Sequence, residues 1–444
     1  MTRVRSCIVF GVAVQTSDDA SGALAEGAAA PAIAMIATGT QPAALVIPPP
    51  AELGRRILAG GHTHEVGDER MSRDHAVVTW DQGMWQIRDL DSRNGTFVNG
   101  ERISGEVRAR GDAILRLGHT LFVLLADGRG HPAPEGDHVV GPELARAYDQ
   151  IRRHVDGDLL LVHGESGSGK ETAARLYHSS GPRRRGPFVA VNCAAIPEGV
   201  AERLLFGAKK GEFSGAIESF GHFQMAGDGT LFLDEVAELE AAVQTKLLRA
   251  IETREVVPVG ATAGAPLALG IVAASHRELR RAVVERRFRD DLYQRLAGVT
   301  VNLPPLRERK VDAARLAQRE VVAVARGLAP HPKLLEACCV RAWPGNIREL
   351  RAAVRRAAAA ALAAGRDVVR VDDLDPAAGK PATLTGETAV DRPPLPPAEL
   401  DKDIVIAALA RSNGVVSVAA RTLGLHRTHL YRLMAKYGIA RDDS

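Results

Sequence analysis

Apolar positions along the chain fall into three regimes. Between Ala44 and Leu125 they come in short alternating runs, including His75 to Trp80, Met84 to Arg88, Gly95 to Val98 and His119 to Leu125. Asp81-Gln82-Gly83 and Asn99-Gly100 supply tight turns between runs. A period of two with Gly-containing turns predicts an all-β sandwich over residues 43–126. From Val140 to about Pro305 the runs are unbroken: Leu159 to His163, Phe188 to Asn192, Thr230 to Asp234 and Gly270 to Ala274, with helical stretches between them. Strands apolar on both faces, alternating with helices, predict an α/β domain around a parallel sheet over 138–305. Residues 306–375 read as purely helical, and residues 399–444 as a small all-α domain.

The stretches between these regimes carry little periodicity. Residues 1–42 are Ala-rich with Gly, Thr and Pro and read as a disordered leader, or as the product of a start placed too early. Arg3 and Arg5 ahead of Cys7 to Val14 only faintly resemble a signal peptide. Residues 127–137 form a Gly/Pro-rich linker. Residues 376–398 hold six prolines and read as a stiff spacer.

A length of 444 residues leaves room for two to four domains. The formal net charge of +3 is too small to imply a partner, so local clusters matter more. Cys7, Cys193, Cys338 and Cys339 show no CxxC spacing and support neither a metal site nor a disulfide framework. No apolar run reaches the roughly 18 residues of a membrane helix. A cytoplasmic protein without membrane contact is expected.

The chemistry starts at the first unbroken run. Leu159 to Val162 leads into Gly164-Glu165-Ser166-Gly167-Ser168-Gly169-Lys170-Glu171 and then a helix. Glycines let backbone N–H groups close around phosphates, the helix N-terminus adds positive potential, and Lys170 can reach the β- and γ-phosphates. Glu171 stands where a general P-loop has Ser or Thr. The run Leu231 to Asp234 ends in Asp234-Glu235. A strand-end aspartate can hold Mg²⁺, and the adjacent carboxylate can orient or deprotonate an attacking water. ATP and Mg²⁺ are the expected cofactors. Arg289 and Arg295 are six apart on an expected helix and cannot share one face.

The stretch from about Gly141 to Leu350 resembles the AAA+ domain of bacterial sigma-54-dependent transcription activators. The motifs that carry the likeness are GESGSGKE, PFVAVNCAAIPE at 187–198, LLFGAKKGEFSGA, GDGTLFLDEV, FRDDLYQRL, LPPLRER at 303–309 and WPGNIREL at 343–350. The resemblance implies that Lys170, Asp234 and Glu235 bind and hydrolyse MgATP. It implies that Asn192 pairs with Glu235 to relay the nucleotide state, that Arg289 and Arg295 reach a neighbouring subunit's ATP, and that Arg348 senses nucleotide from the lid. Gly211, Glu212, Phe213, Ser214, Gly215 and Ala216 would form the loop that engages sigma-54, with Phe213 and Ser214 as key contacts. The family loop reads GAFTGA. Here Ser214 keeps the hydroxyl, whereas Glu212 puts a charge beside the client contact. His276 replaces the family's strand-end Asn, and its imidazole can still donate a hydrogen bond. The family assembles as a ring, usually a hexamer, with a dimer as the inactive form, and a site completed in trans needs a closing heterologous interface.

The outer domains resemble known modules too. Arg55, Ser72, Arg73, Arg93 and Asn94 sit on loops of the strand-rich segment, at spacings that resemble the forkhead-associated (FHA) domain, a phosphothreonine-peptide reader. His75 and Asn99 read as loop braces. The phosphothreonine would lie on a partner or on this chain itself. From Arg411 to Arg441 there are six Lys or Arg and no Asp or Glu. Two short helices around the Gly424 turn resemble a Fis-type helix-turn-helix, with Arg427, Thr428, His429 and Arg432 facing the major groove and Lys436 on phosphate. The resulting expectation is a transcription activator that binds double-stranded DNA, responds to phosphothreonine and remodels sigma-54 RNA polymerase holoenzyme. The rival is a DNA-binding regulator or scaffold whose drifted GEFSGA loop no longer drives sigma-54. A general AAA+ loader would have no reason to carry the inserted loop.

Overall fold

The computed structural model describes residues 7–9, 12–14, 30–39, 41–59, 62–129, 133–135, 138–209 and 219–381, together with 434 and 437. Two compact units divide the chain, 1–381 and 382–444. Of the second, only Met434, which is buried, and the half-buried Tyr437 are described, so the expected helix-turn-helix lies outside the described residues.

The first unit opens with two facing antiparallel sheets. One runs Glu101–Arg102, Thr96–Val98, Ala113–Leu117, Thr120–Leu125, Ala32–Thr38, Gln41–Ile47 in spatial order. The other runs Glu106–Arg110, Met84–Asp89, Ala76–Asp81, Ala51–Leu53. Strand limits expected at 75–80, 84–88 and 95–98 fall within one residue of these. Both expected turns have two consecutive residues at positive φ, Gln82 and Gly83 (48° and 78°) and Asn99 and Gly100 (50° and 88°). That backbone matches the twist of the flanking strands. Ile33, Phe122, Leu124 and Leu115 point between the sheets, around the fully buried Trp85.

The alternate residues of the larger sheet are equally buried. Ala34, Ile36, Ile114, Leu121, Val123 and Leu125 join one core with the helical lid at Lys310–Val324, Pro332–Val340 and Asn346–Ala363. This burial explains a correction. The leader expected to be disordered through residue 42 contributes the strand Ala32–Thr38, paired with both Thr120–Leu125 and Gln41–Ile47. Its sequence, AIAMIAT, shows no polar alternation because both faces are covered, and its small residues let the lid helices approach. Further upstream, Cys7–Val9 pairs with Val12–Val14. The expected linker likewise holds an antiparallel pair, Ala133–Glu135 with His138–Val140.

The central domain has the expected parallel sheet, ordered Phe188–Asn192, Thr230–Asp234, Gly270–Ser275, Leu159–His163, Thr300–Asn302. Period-two burial splits each strand between two cores. Leu160, Val162, Phe232 and Val272 pack under helices Pro142–Arg153 and Lys170–Ser180. Leu161, Leu231, Leu233 and Ile271 pack under Ala241–Thr253 and Asp290–Leu296 on the other side. The lid departs from pure helix by one short parallel bridge, Ala329–Pro330 with Val368–Val369. It also runs past residue 375: Trp343, fully buried, donates its backbone N–H to Gly379 O at 2.9 Å and its indole N–H to Cys338 O at 2.7 Å.

Candidate functional site

The carboxyl ends of the parallel strands gather the candidate ATP residues. Gly164 to Gly169 links Leu159–His163 to Lys170–Ser180. Gly169 caps that helix at φ 106°, a conformation only glycine adopts without strain, and aims the helix N-terminus into the loop. A side chain at Gly167 would meet Gly345 O at 2.6 Å, so the loop has to be bare there. Lys170 is almost fully buried; its Nζ donates to Gly164 O at 3.2 Å and to Glu235 Oε1 at 3.1 Å. Glu171 points outward and pairs with Arg175 one turn on, at 2.7 Å.

Four lid contacts hold the same loop. Asn346, buried and at φ 51°, donates its amide to Glu165 Oε2 at 3.0 Å and to Ser166 O at 3.1 Å, and accepts Leu306 N–H at 2.8 Å. Ile347 N–H reaches Gly167 O at 3.1 Å. Arg307 pairs with Glu165 at 2.8 Å. Arg309 donates to Ser168 O at 3.0 Å. Burial pushes the Glu165 carboxyl up, but the bonds from Asn346 and Arg307 outweigh this and hold it below its ordinary value. Arg348 is exposed beside the loop, its Cβ 3.4 Å from where a Gly167 side chain would begin.

Asp234 and Glu235 are tuned in opposite directions. Glu235 adopts a left-handed φ of 54°, which turns its side chain back over the loop toward Lys170. Its Oε2 accepts both the backbone N–H of His276 at 3.1 Å and a bond to His276 Nδ1 at 2.5 Å. Burial raises Glu235, yet the two His276 bonds and Lys170 bring it below the usual carboxylate value. Asp234 goes up, chiefly by burial, with the Glu235 charge adding to it and Lys170 opposing. The expected pairing of Asn192 with Glu235 is not formed. Asn192 is exposed and its Oδ1 caps the following turn at Ala194 N–H, 3.0 Å away, while His276 takes the Glu235 position.

Neither Arg289 nor Arg295 is bonded to the phosphate loop or to the Asp234–Glu235 pair among the described residues. Arg289 starts its helix, bonds Asp291 at 2.6 Å and Thr245 Oγ1 at 3.1 Å, and stays nearly half exposed. Arg295 is exposed at the opposite end of the sheet, lining a cavity with Asp158, Leu159 and Arg254. The loop Gly211 to Ala216 lies outside the described residues. Its base does not. Ala208 pairs antiparallel with Ser219 and parallel with Val259, bringing the two ends of the insertion together.

On the sandwich, the loops carrying Arg55, Ser72, Arg73, Arg93 and Asn94 converge. Arg55 Nε donates to Met71 O at 2.8 Å, Arg93 N–H to Ser72 Oγ at 3.2 Å, and Asn94 Nδ2 to Arg70 O at 2.6 Å. Arg73 and Arg93 are exposed and make no ion pair among the described residues. His75 is a brace, as expected: it is fully buried, accepts Ser72 N–H at Nδ1 (3.0 Å) and meets Gly95 O through Nε2 (3.3 Å). Burial lowers its pKa, which favours the neutral ring. Asn99 accepts Ile114 N–H at 2.9 Å. A Cβ on Gly54 would lie 1.7 Å from Arg73 O. Gly54→Ala is therefore expected to displace the 72–75 loop and destabilise the sandwich by about 1–3 kcal/mol, read as a lower urea midpoint. An unchanged midpoint would show that the loop yields freely.

Asn346, Arg309 with its partner Asp312, and Asp89 were not singled out from sequence. Asp89 accepts Ser92 Oγ at 2.6 Å and Thr96 Oγ1 at 2.5 Å, bracing the Arg93 loop. The one available signal was Gly345-Asn346 at a helix start, since Asn tolerates positive φ.

A strand–loop–helix phosphate cradle, a strand-end carboxylate pair and a helical lid closing on the loop define an AAA+ ATPase-type domain. The comparisons agree and extend this. Residues 140–302 match the family described as Sigma-54 interaction domain, 307–389 the AAA+ ATPase lid domain, 52–118 the FHA domain, and 396–437 the Bacterial regulatory protein, Fis family. The chain thus carries a sigma-54 interaction domain, an AAA+ lid, an FHA domain and a Fis-family region. It is similar to the transcriptional regulatory protein ZraR of Klebsiella oxytoca, 40% identical over 62% of this chain and 63% of that one. It is likewise similar to the DNA-binding transcriptional regulator NtrC of Salmonella typhimurium, 37% identical over 63% and 65%. The chain thus spans less than two thirds of the length of these relatives. A crystal structure of NtrX from Brucella abortus superposes with a TM-score of 0.50 at 29% identity, covering 68% of this chain and 69% of that one. No helix among the described residues is long and apolar enough to cross a membrane.

Proposed function

We propose that this chain is a cytoplasmic, DNA-bound activator whose ring hydrolyses ATP to remodel sigma-54 RNA polymerase holoenzyme. The observation that carries the reading is the pinned base of the 210–218 insertion, Ala208 to Ser219, on the same domain as the Lys170–Glu235–His276 site. Because both ends of the insertion are tied to the domain, nucleotide-driven movement of the domain would be passed to the segment that carries Phe213 and Ser214. Lys170 and the helix N-terminus would hold the phosphates, Asp234 would hold Mg²⁺, and Glu235 would accept a proton from the attacking water. Mg²⁺, when bound, would offset charge on the phosphate oxygens.

The opposite placement of Arg295 and the exposure of Arg289 favour their action on a neighbouring subunit's nucleotide, and with it a closed ring such as a hexamer. Arg348 beside the loop suits a lid sensor. The unpaired Arg73 and Arg93 suit a phosphothreonine ligand, from a partner or from the chain itself. Arg427, Thr428, His429, Arg432 and Lys436 would contact DNA.

An open-complex assay on a sigma-54 promoter tests the whole reading. Transcripts are expected only with sigma-54, ATP and this protein together. DNA binding and ATP turnover without transcripts would favour the rival, a regulator whose Glu212-bearing loop does not engage sigma-54.

A further inference from the structure

Inter-domain contacts within a chain are mobile by default unless they are large and apolar. The contact between the sandwich and the lid is apolar and also carries a buried charge pair. Ile36, Ile114, Leu121 and Val123 share a core with Val321 and Leu335 of the lid. Arg116, at 7% exposure, pairs with Glu336 of the lid, at 8%, at 2.7 Å. Its guanidinium also stacks over Phe97 at 3.8 Å and donates to Gly118 O. Separating the domains would leave that apolar face in water, and removing one partner of such a pair strands a buried charge.

A second contact joins three segments beside it. Asp112, on the sandwich, accepts Ala126 N–H at 2.8 Å and lies near the buried carboxyl of Glu143 on helix Pro142–Arg153. Burial raises the Glu143 carboxyl well above its ordinary range, and the charges of Asp112 and Asp312 beside it add to the rise. Two residues back, at the N-cap of the same helix, Gly141 N–H bonds Asp312 of the lid. Asp312 holds Arg309 at 2.6 Å, and Arg309 holds Ser168 O in the phosphate loop at 3.0 Å.

We propose that the back face of the FHA sandwich is an intramolecular docking surface for the ATPase lid, and that this docking braces the phosphate loop for nucleotide. The sandwich is then a structural part of the ATP site as well as a reader module. Nothing in this depends on which peptide the opposite end of the sandwich binds.

The test uses the full chain. Arg116→Glu sets like charges against Glu336 and is expected to weaken binding of a fluorescent ATP analogue by at least about fivefold. Amide exchange should quicken in residues 306–324 as well as in 113–125. Adding Glu336→Arg restores opposite charges and should return the affinity to within about twofold of the parent. Unchanged affinity, with faster exchange confined to the sandwich, would overturn the proposal. The unmodified chain supplies a check that no folding defect can obscure. Coupling is reciprocal, so the saturating ATP analogue should slow exchange at 113–117 and 332–340. Unchanged exchange at both segments would overturn the proposal as well.

Discussion

Glu235→Gln is expected to lower ATP hydrolysis by about 10²–10⁴-fold, the usual worth of a positioned general base, while nucleotide binding persists. Three features favour Glu235 for that role. It is held ionised against its own burial by His276 and Lys170. Its left-handed backbone turns it back over the phosphate loop. Its Oε1 is bonded to the lysine that would turn to phosphate when nucleotide enters, leaving that oxygen for water. Glutamine keeps the size and an acceptor for the His276 N–H but cannot take a proton. Phosphate release and analogue affinity, measured side by side, decide the matter; hydrolysis within tenfold of the parent would remove Glu235 from the chemistry. His276→Ala gives a second readout. It deletes a bond that lowers the Glu235 pKa, so the acid limb of the rate profile should move to higher pH, since Glu235 would lose its charge sooner as pH falls.

The central sheet was legible because parallel strands buried on both faces leave unbroken apolar runs, ended here by Gly164, Asp234 and the turn after Ser275. The sandwich was legible where one face of a strand meets water, as in Met84–Asp89. It failed at Ala32–Thr38, where lid packing covers the face whose polarity would have marked a strand. The continuous burial of Thr120–Leu125 had the same cause, and its run TLFVLL already hinted that the sheet's back face was covered. At the site, residue types and spacing located Lys170, Asp234 and Glu235 but not their partners. Asn192 lies beside Asp234 in strand register, yet its side chain turns to its own helix cap, and His276 bonds Glu235 through its ring and its backbone. Partner choice of this kind rests on rotamers and backbone direction, which spacing does not encode. Arg309 and Asp312 are three apart in a charged stretch and look like a solvated pair; only the packing of the sandwich, the first helix and the lid around them makes them interior.

That interior pair carries the largest expected loss of stability. Asp312 is fully buried and Arg309 is 2% exposed. Asp312→Ala would leave a buried guanidinium without its counter-charge and Gly141 N–H without an acceptor. The expected loss is about 3–5 kcal/mol, the range for breaking a buried pair from one side, read as a lower denaturation midpoint. A loss below about 1 kcal/mol would mean that water reaches the site and that the pair behaves like a surface one. Replacing both members, Arg309→Met with Asp312→Leu, separates the pair's two duties. Apolar side chains of similar volume often match a buried ion pair in stability, so much of the midpoint should return. The bond from Arg309 to Ser168 O would still be missing, and with it one of the four lid contacts on the phosphate loop. Stability regained without nucleotide affinity would assign Arg309 to loop positioning. Affinity regained with stability would make the pair a matter of folding alone.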